Sequence, residues 1–273
     1  MITPEQFRFF ADLVRSASGI SLTMGKEYLV ESRLNELSKL LNLRDIDELY
    51  HKAVRQMTPQ LKNQIIEAMT TNETYFFRDQ HPFDALKTKV IPELLAGKGA
   101  DAKLKFWSAA CSTGQEPYSI AMIIAEHFRH LANGKVEILA TDISKQAIEK
   151  GAAGRFTQVE ANRGLPITML IKYFRQQGAF WVINDDIKNM VYFKILNLID
   201  PFTGVNGFDV IFCRYVLIYF DQETKQQIIQ KLEKALNPGG YLFFGATETP
   251  TGLSPAMERL TIGKTTCWRK KRH

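Results

Sequence analysis

The stretch "SAACSTGQEPYS", residues 108–119, joins a short apolar run to a helical pattern and carries the first chemical information in the chain. Its small residues Ala109, Ala110, Ser112 and Gly114 let a ligand lie against the backbone. It lacks a GxGxxG cradle, and Glu116 stands at the start of the following helix, where a carboxylate repels a diphosphate. Such a site suits hydroxyls or a cationic group instead. Asp142 closes the next apolar run, 28 residues after Gly114, where an acid is the usual partner of a ribose diol. The competing reading makes Asp142 the cap of the next helix, a duty Ser144 can also fill. S-adenosylmethionine fits this pattern, since it has a ribose, an adenine and a sulfonium but no phosphate. NAD is the alternative, disfavoured by the missing glycines.

Two further stretches bring polar and aromatic groups together. In "FCRYVLIYFD", residues 212–221, Arg214, Tyr215 and Tyr219 lie where a buried strand ends. Two readings stand: an aromatic core segment with one satisfied arginine, or the wall of a crevice at a topological switch point. In "TNETYFFRD", residues 71–79, Asn72-Glu73-Thr74 matches a glycosylation acceptor, yet three aromatics and Arg78 follow at once. No Ser/His/Asp or Cys/His set is evident. His127 and His130 lie three apart without further ligands nearby, so surface or core roles are favoured over a metal site. Cys111 sits in the turn of "SAACSTGQEPYS", where small-residue packing explains it as well as reactivity does.

The elements that position these groups fall into two grammars. Over residues 1–70 only helices are expected. Thr3-Pro4-Glu5-Gln6 opens the first as a capping box, and Gly19 closes it. A second runs from about Lys26 to Leu41, Asp45 and Glu48 open a third, and Thr58-Pro59 a fourth, making a small bundle. From residue 104 strands alternate with helices: "LKFWSA", "VEILATD", "VYFKIL", "FDVIFC" and "YLFFGA", with "KTTCWRK" as an antiparallel edge. That alternation predicts an α/β fold with a largely parallel, Rossmann-like sheet covered by helices on both faces. Residues 155–190 interrupt it as a small β insertion carrying a hairpin in "YFRQQGAFWVIN".

Composition narrows the setting. The three cysteines are odd in number and widely spaced, and the N-terminus lacks the apolar core of a signal peptide, so a cytoplasmic location is expected and the glycosylation match is chance. No apolar run is long enough to insert in a membrane. The formal charge is +6, but residues 1–78 are balanced, ten basic against ten acidic. Arg269-Lys270-Lys271-Arg272 supplies four of the excess charges and is expected to be solvated and mobile, so no nucleic-acid partner is expected.

Five motifs in order, "TNETYFFRD", "ACSTGQEPYS", "LATDIS", "LNL" and "CRYVLIYF", resemble the CheR-type chemoreceptor glutamate O-methyltransferases over nearly the whole chain. The resemblance implies S-adenosylmethionine as cofactor and S-adenosylhomocysteine as product. It implies that Asn72, Thr74 and Arg78 reach into the cofactor pocket, that Glu116 faces the methionine end and Asp142 the ribose, and that Asn197 and Leu198 border the adenine. Arg214 and Tyr215 would lie close to the cofactor, and Arg78 and Tyr219 would flank the methyl-transfer site as the catalytic pair. Gln115 stands where many members have an acid, and Tyr215 where many have Asn, which leaves a backbone contact in place of that side chain. The insertion looks shortened after its "YF" pair, like members that work without a tethered receptor pentapeptide.

The resulting expectation has residues 1–70 as a helical substrate-recognition domain and 71–90 as an interdomain linker contributing to the active site. Residues 91–273 form the cofactor-binding catalytic domain. The aromatics of "TNETYFFRD" are expected to pack the joint. The partner is the helical cytoplasmic domain of a chemoreceptor, with Arg33 and Lys39 as candidate basic contacts, and the enzyme is expected to be a monomer. A substrate glutamate is already ionised at neutral pH, so no general base is needed. The alternatives are a methyltransferase acting on another substrate, or a non-catalytic cofactor-binding signalling protein.

Overall fold

The signals that open each N-terminal helix are satisfied in the structure, a computed structural model that describes residues 1–23, 25–99, 102–132 and 134–272. Helix α1 (Pro4–Ser18) begins with Thr3 and Gln6 capping each other's backbone and ends on Gly19 at φ 77°. Helix α2 spans Glu27–Leu40. Asp45 caps α3 (Ile46–Arg55), and Thr58 caps α4 (Pro59–Met69). Their apolar stripes bury Phe10, Val14, Val30, Leu34, Leu49 and Ile65 completely. At roughly 1.5–3 kcal/mol per side chain, this core rather than helix propensity holds the four short helices. Arg33 is not free for docking: its guanidinium donates to the Met69 carbonyl at 2.6 Å and to Thr71 Oγ1 at 2.8 Å, closing the end of α4.

The chain divides into two compact units, Met1–Thr71 with Ile218–Thr224, and Asn72–Leu217 with the chain from Lys225 on. The short segment 218–224 therefore belongs to the helical unit. Ile20 bridges Phe220 antiparallel, the Ser21 N–H donates to the Tyr219 carbonyl at 2.8 Å, and Arg15 pairs with Asp221 at 2.7 Å.

The second unit is built on strands β1 (Leu104–Ala109), β2 (Val136–Asp142), β6 (Val191–Ile195), β7 (Phe208–Cys213), β8 (Leu236–Phe243), β9 (Met257–Ile262) and β10 (Thr265–Lys270). Their order is β6-β2-β1-β7-β8-β10-β9, parallel from β6 to β8, with β9 and β10 antiparallel. The predicted "KTTCWRK" strand is thus present beside β8, but β9 lies outside it as the true edge. Strand β7 is buried at every position, as a central parallel strand between helical layers must be. Strands β3 (Arg155–Thr157), β4 (Phe174–Gln177) and β5 (Phe180–Ile183) form the small antiparallel sheet, with Gln177 paired to Phe180 across a two-residue turn.

Two expectations are corrected here. Phe76 and Phe77 belong to the core of the second unit: Phe76 packs edge-on against Phe156 and Phe174, and Phe77 against Phe83. The basic tail is docked, not mobile. Arg269 pairs with Glu258 at 2.6 Å, Lys270 Nζ donates to the Glu233 and Leu236 carbonyls, and Lys271 Nζ to the Pro255 carbonyl. Arg272 lies over Gly97 and Gly239, where a Cβ would stand 2.1 Å and 2.6 Å from its guanidinium.

Candidate functional site

The loops at the carboxyl ends of β1, β2, β6, β7 and β8 carry most of the singled-out residues, and their backbone is unusual. Among the described residues seven non-glycine residues have positive φ: Ala110, Ser112 and Tyr215 in these loops, Phe77, Asp79 and Gln80 just before helix His81–Ala85, and Asn42 elsewhere. Each costs on the order of 1 kcal/mol and persists only where surrounding contacts impose it. After β1, Ala110 (φ 63°), Ser112 (φ 50°) and Gly114 (φ 95°) turn the chain into helix Gln115–His127. Gly114 is required twice over, because a Cβ there would meet the Phe193 ring at 3.0 Å and the Gly151 Cα at 3.1 Å.

Asp142 holds this turn. Its Oδ2 accepts the Ser112 N–H at 2.8 Å and its Oδ1 the Ser144 N–H at 2.9 Å. Ser144 itself caps helix Lys145–Ala153 through the Ala147 N–H, so the capping alternative for Asp142 falls away. The Ser112 hydroxyl donates to the Asn72 carbonyl at 2.9 Å, which brings the start of "TNETYFFRD" to the same turn. Asn197 and Leu198 follow β6 nearby: the Leu196 N–H donates to the Asp142 carbonyl, and the Leu198 carbonyl accepts Lys231 Nζ at 2.5 Å. Thr74 is half-buried on its segment.

A second cluster is organised by Arg214, whose side chain is 1% exposed. Its Nη1 donates to Glu116 Oε2 at 2.9 Å, and its Nη2 to Asp79 Oδ2 at 2.6 Å and to the Arg78 carbonyl at 2.8 Å. Glu116 Oε1 takes the Ser108 hydroxyl at 2.7 Å, so both its oxygens are engaged, each with a lone pair to spare. Asp79 also accepts the Tyr215 hydroxyl. Burial and then this contact with Asp79 raise the Tyr215 pKa above its ordinary value, keeping the phenol a donor.

Arg78 is set apart from the ion pairs around it. Its guanidinium lies 3.8 Å from the Tyr215 ring centroid, and Nη1 donates to the Glu73 carbonyl at 2.9 Å. The nearby carboxylates are taken: Glu73 by Arg163 at 2.6 Å, Asp79 by Arg214. Among the described residues Arg78 has no salt-bridged carboxylate, only a longer-range attraction to Glu73, and its buried Nε has no hydrogen-bond partner. A guanidinium stacked on a ring and short of acceptors is equipped to take a carboxylate through its planar donor fork.

Sequence reasoning missed Glu248. It is buried, and its carboxylate accepts three backbone N–H groups: Tyr215 at 2.6 Å, Gly245 at 2.8 Å and Leu217 at 2.9 Å. The available signal was an acid a few residues beyond the end of an apolar strand, the same placement that drew attention to Asp142. Tyr219 lies in the segment grouped with the helical unit, within a short 3-10 turn, Leu217–Tyr219.

An α/β sheet whose strand-end loops offer a buried acid at the end of β2, a close backbone approach and no diphosphate cradle is a transferase-like fold that suits S-adenosylmethionine. The chain belongs to the CheR methyltransferase family. Residues 72–263 match the family's S-adenosylmethionine-binding domain and residues 5–70 its all-alpha domain. It is 42% identical over 253 residues to the chemotaxis protein methyltransferase Cher2 of Pseudomonas putida, covering 91% of this chain and 90% of that one. It is 40% identical to chemotaxis protein methyltransferase 1 of Pseudomonas aeruginosa, covering 90% and 91%. It is 37% identical to the chemotaxis protein methyltransferase of Borreliella burgdorferi, covering 92% and 90%. The chain is an S-adenosylmethionine-dependent protein methyltransferase. Among the described residues, no helix is long and apolar enough to cross a membrane.

Proposed function

We propose that the protein methylates glutamate side chains on the cytoplasmic helices of chemoreceptors, forming methyl esters in sensory adaptation. The observation that carries this reading is Arg78, a half-buried guanidinium stacked on Tyr215 among strand-end loops and lacking a salt-bridged carboxylate among the described residues. The three relatives named above are chemotaxis protein methyltransferases, which supports a substrate within chemotaxis signalling.

Asp142 is assigned to the cofactor's ribose hydroxyls, Asn197 and Leu198 to its adenine, and Glu116 to its methionine end. Asn72, Thr74, Arg214 and Tyr215 line the same pocket. Bound S-adenosylmethionine supplies an electrophilic methyl group and leaves as S-adenosylhomocysteine. The acceptor carboxylate, with an ordinary pKa of about 4.3, is an anion at neutral pH, so the protein does not have to remove a proton. Its task is to orient that anion and exclude water. Arg78 orients it, and Tyr215 limits how far the guanidinium can follow, so the oxygen keeps its nucleophilicity. Tyr219 is assigned a hydrogen bond to the same carboxylate on family resemblance alone.

Receptor recognition is assigned to the helical unit. The two-residue turn between β4 and β5 supports a mode of engagement that needs no tethered peptide. The test is transfer of labelled methyl to a panel of receptor cytoplasmic fragments, with and without their C-terminal tails. Base-labile label on glutamate is the expected product. Label on another residue, or none with cofactor bound, would overturn the assignment.

A further inference from the structure

The reading above leaves open what holds Arg78 and Tyr215 in register. Tyr215 sits at φ 58°, a conformation a tyrosine does not keep unaided. Its hydroxyl is tied to Asp79, its ring lies under Arg78, and its backbone N–H points into the protein rather than to a strand partner. The acceptor of that N–H is Glu248 Oε2, which also takes the Gly245 N–H, while Oε1 takes the Leu217 N–H.

Among the described residues Glu248 has no hydrogen-bonded or salt-bridged cationic partner, so these amides carry the compensation for its buried charge. A carboxylate accepts in every direction and donates in none, which is what three converging N–H groups demand. The fit is tight on the other side as well. A Cβ at Gly245 would lie 2.8 Å from Glu248 Oε2 and 2.9 Å from the Tyr215 ring, so glycine is what lets the carboxylate and the ring approach together.

We propose that Glu248 is a positioning residue for methyl transfer: it clamps the backbone of residues 215–217 and thereby fixes the Tyr215 ring on which the Arg78 guanidinium rests. The inference rests on the proposed role of Arg78. Glu248 touches neither Arg78 nor any group assigned to the substrate, and acts through Tyr215.

Glu248→Gln is the direct test on the full-length chain. The amide keeps the volume but offers one carbonyl oxygen and one NH2, so at least one backbone N–H now faces a donor. A misplacement of about 1 Å at the reacting end lowers turnover by about 10²-fold, so a loss of kcat approaching that size is expected. The dissociation constant for S-adenosylhomocysteine, by calorimetry, should change far less than kcat, since Tyr215 is the one assigned cofactor residue that Glu248 touches and the contacts assigned to Asp142, Glu116, Asn197 and Leu198 stay in place. In the Arg78→Ala background the same substitution should cost less than about threefold further, because its effect passes through Arg78.

A readout independent of turnover is the Arg78 Nε–H resonance in 15N-labelled protein, identified by its disappearance in Arg78→Lys. Stacking on Tyr215 gives it a ring-current shift, which Glu248→Gln and Tyr215→Ala should both collapse. Wild-type kcat and an unmoved resonance in Glu248→Gln would overturn the inference while leaving the role of Arg78 standing, provided Arg78→Ala is impaired. Full activity in Arg78→Ala would instead overturn the functional reading, and the inference with it. Fully additive losses in the double variant would also overturn it. If Glu248→Gln does not fold, Gly245→Ala presses on the same clamp from the opposite side. It carries the same expectations, and wild-type values there would count against the proposal.

Discussion

Arg214 Nη1 stands 2.9 Å from Glu116 Oε2, and the pair is almost wholly withdrawn from water, at 1% and 12% side-chain exposure. Arg214 also neutralises Asp79, so one guanidinium serves two carboxylates brought from 98 and 135 residues away. Breaking a buried pair of this kind costs about 3–5 kcal/mol, because the abandoned charge stays in the protein. Arg214→Ala should therefore lower the urea midpoint sharply. Arg214→Lys should recover only part of the loss, since an ammonium cannot span Glu116, Asp79 and the Arg78 carbonyl in the same plane.

Asp142 has a different signature. Its carboxylate ties the turn after β1 to the turn after β2, and it is also the proposed ribose contact. Asp142→Ala should weaken S-adenosylhomocysteine binding by tenfold or more, on the order of the 1.5–3 kcal/mol a charged hydrogen bond contributes. Calorimetry with the cofactor product measures this directly, and circular dichroism checks that the fold persists.

Tyr215 separates its ring from its hydroxyl. Tyr215→Phe keeps the platform under Arg78 and loses the hydroxyl's bonds to Asp79 and from the Ala246 N–H, so a modest fall in kcat is expected. Tyr215→Ala removes the platform and should approach the loss seen on deleting the Arg78 guanidinium. Equal activity in the two variants would show that the stack is not what matters.

Tyr241 sets an alkaline limit. Burial first, then its hydroxyl contact with Glu93, push its pKa from the ordinary 10 up to about 12. A group whose pKa is raised by folding contributes stability in full below its unfolded value and loses it as pH rises through the folded one. That contribution should drain away between about pH 10 and pH 12. The stability of Tyr241→Phe, followed by urea denaturation across the same window, should decline less steeply than wild type.

The sequence was most readable where local chemistry and tertiary role agree. Strands β1, β2 and β7 are predominantly apolar runs with one to three polar residues in each, and their limits coincide with the readings "LKFWSA", "VEILATD" and "FDVIFC". The helix caps at Thr3, Asp45 and Thr58 needed only their own neighbours. Strand β9 was missed because it is an edge strand with only Met257 buried, and in "MERLTI" the consecutive Glu258 and Arg259 break both an apolar run and a strict alternation. Strand β8 starts earlier than "YLFFGA" suggests. Pro238-Gly239-Gly240 signals a stop, yet it is carried in an irregularity where the pairing with β7 shifts between Phe208 and Val210.

At the site, Asp142 was legible as a strand-end acid, whereas Glu248 was not, since its partners are backbone amides gathered only by folding. The same limit applies to the basic tail. Four consecutive charges read as a solvated run, and nothing local reveals that Glu258, the carbonyls at the end of helix Gln222–Ala235 and two glycine surfaces await them.

The concentration of positive φ at Phe77, Asp79, Gln80, Ala110, Ser112 and Tyr215 gives this enzyme a built-in conflict between durability and work. Glycine at these positions is free of the steric penalty that the present side chains bear. Replacing Ala110 or Gln80 by glycine should therefore relieve backbone strain while slackening the frame around Arg78 and Asp142.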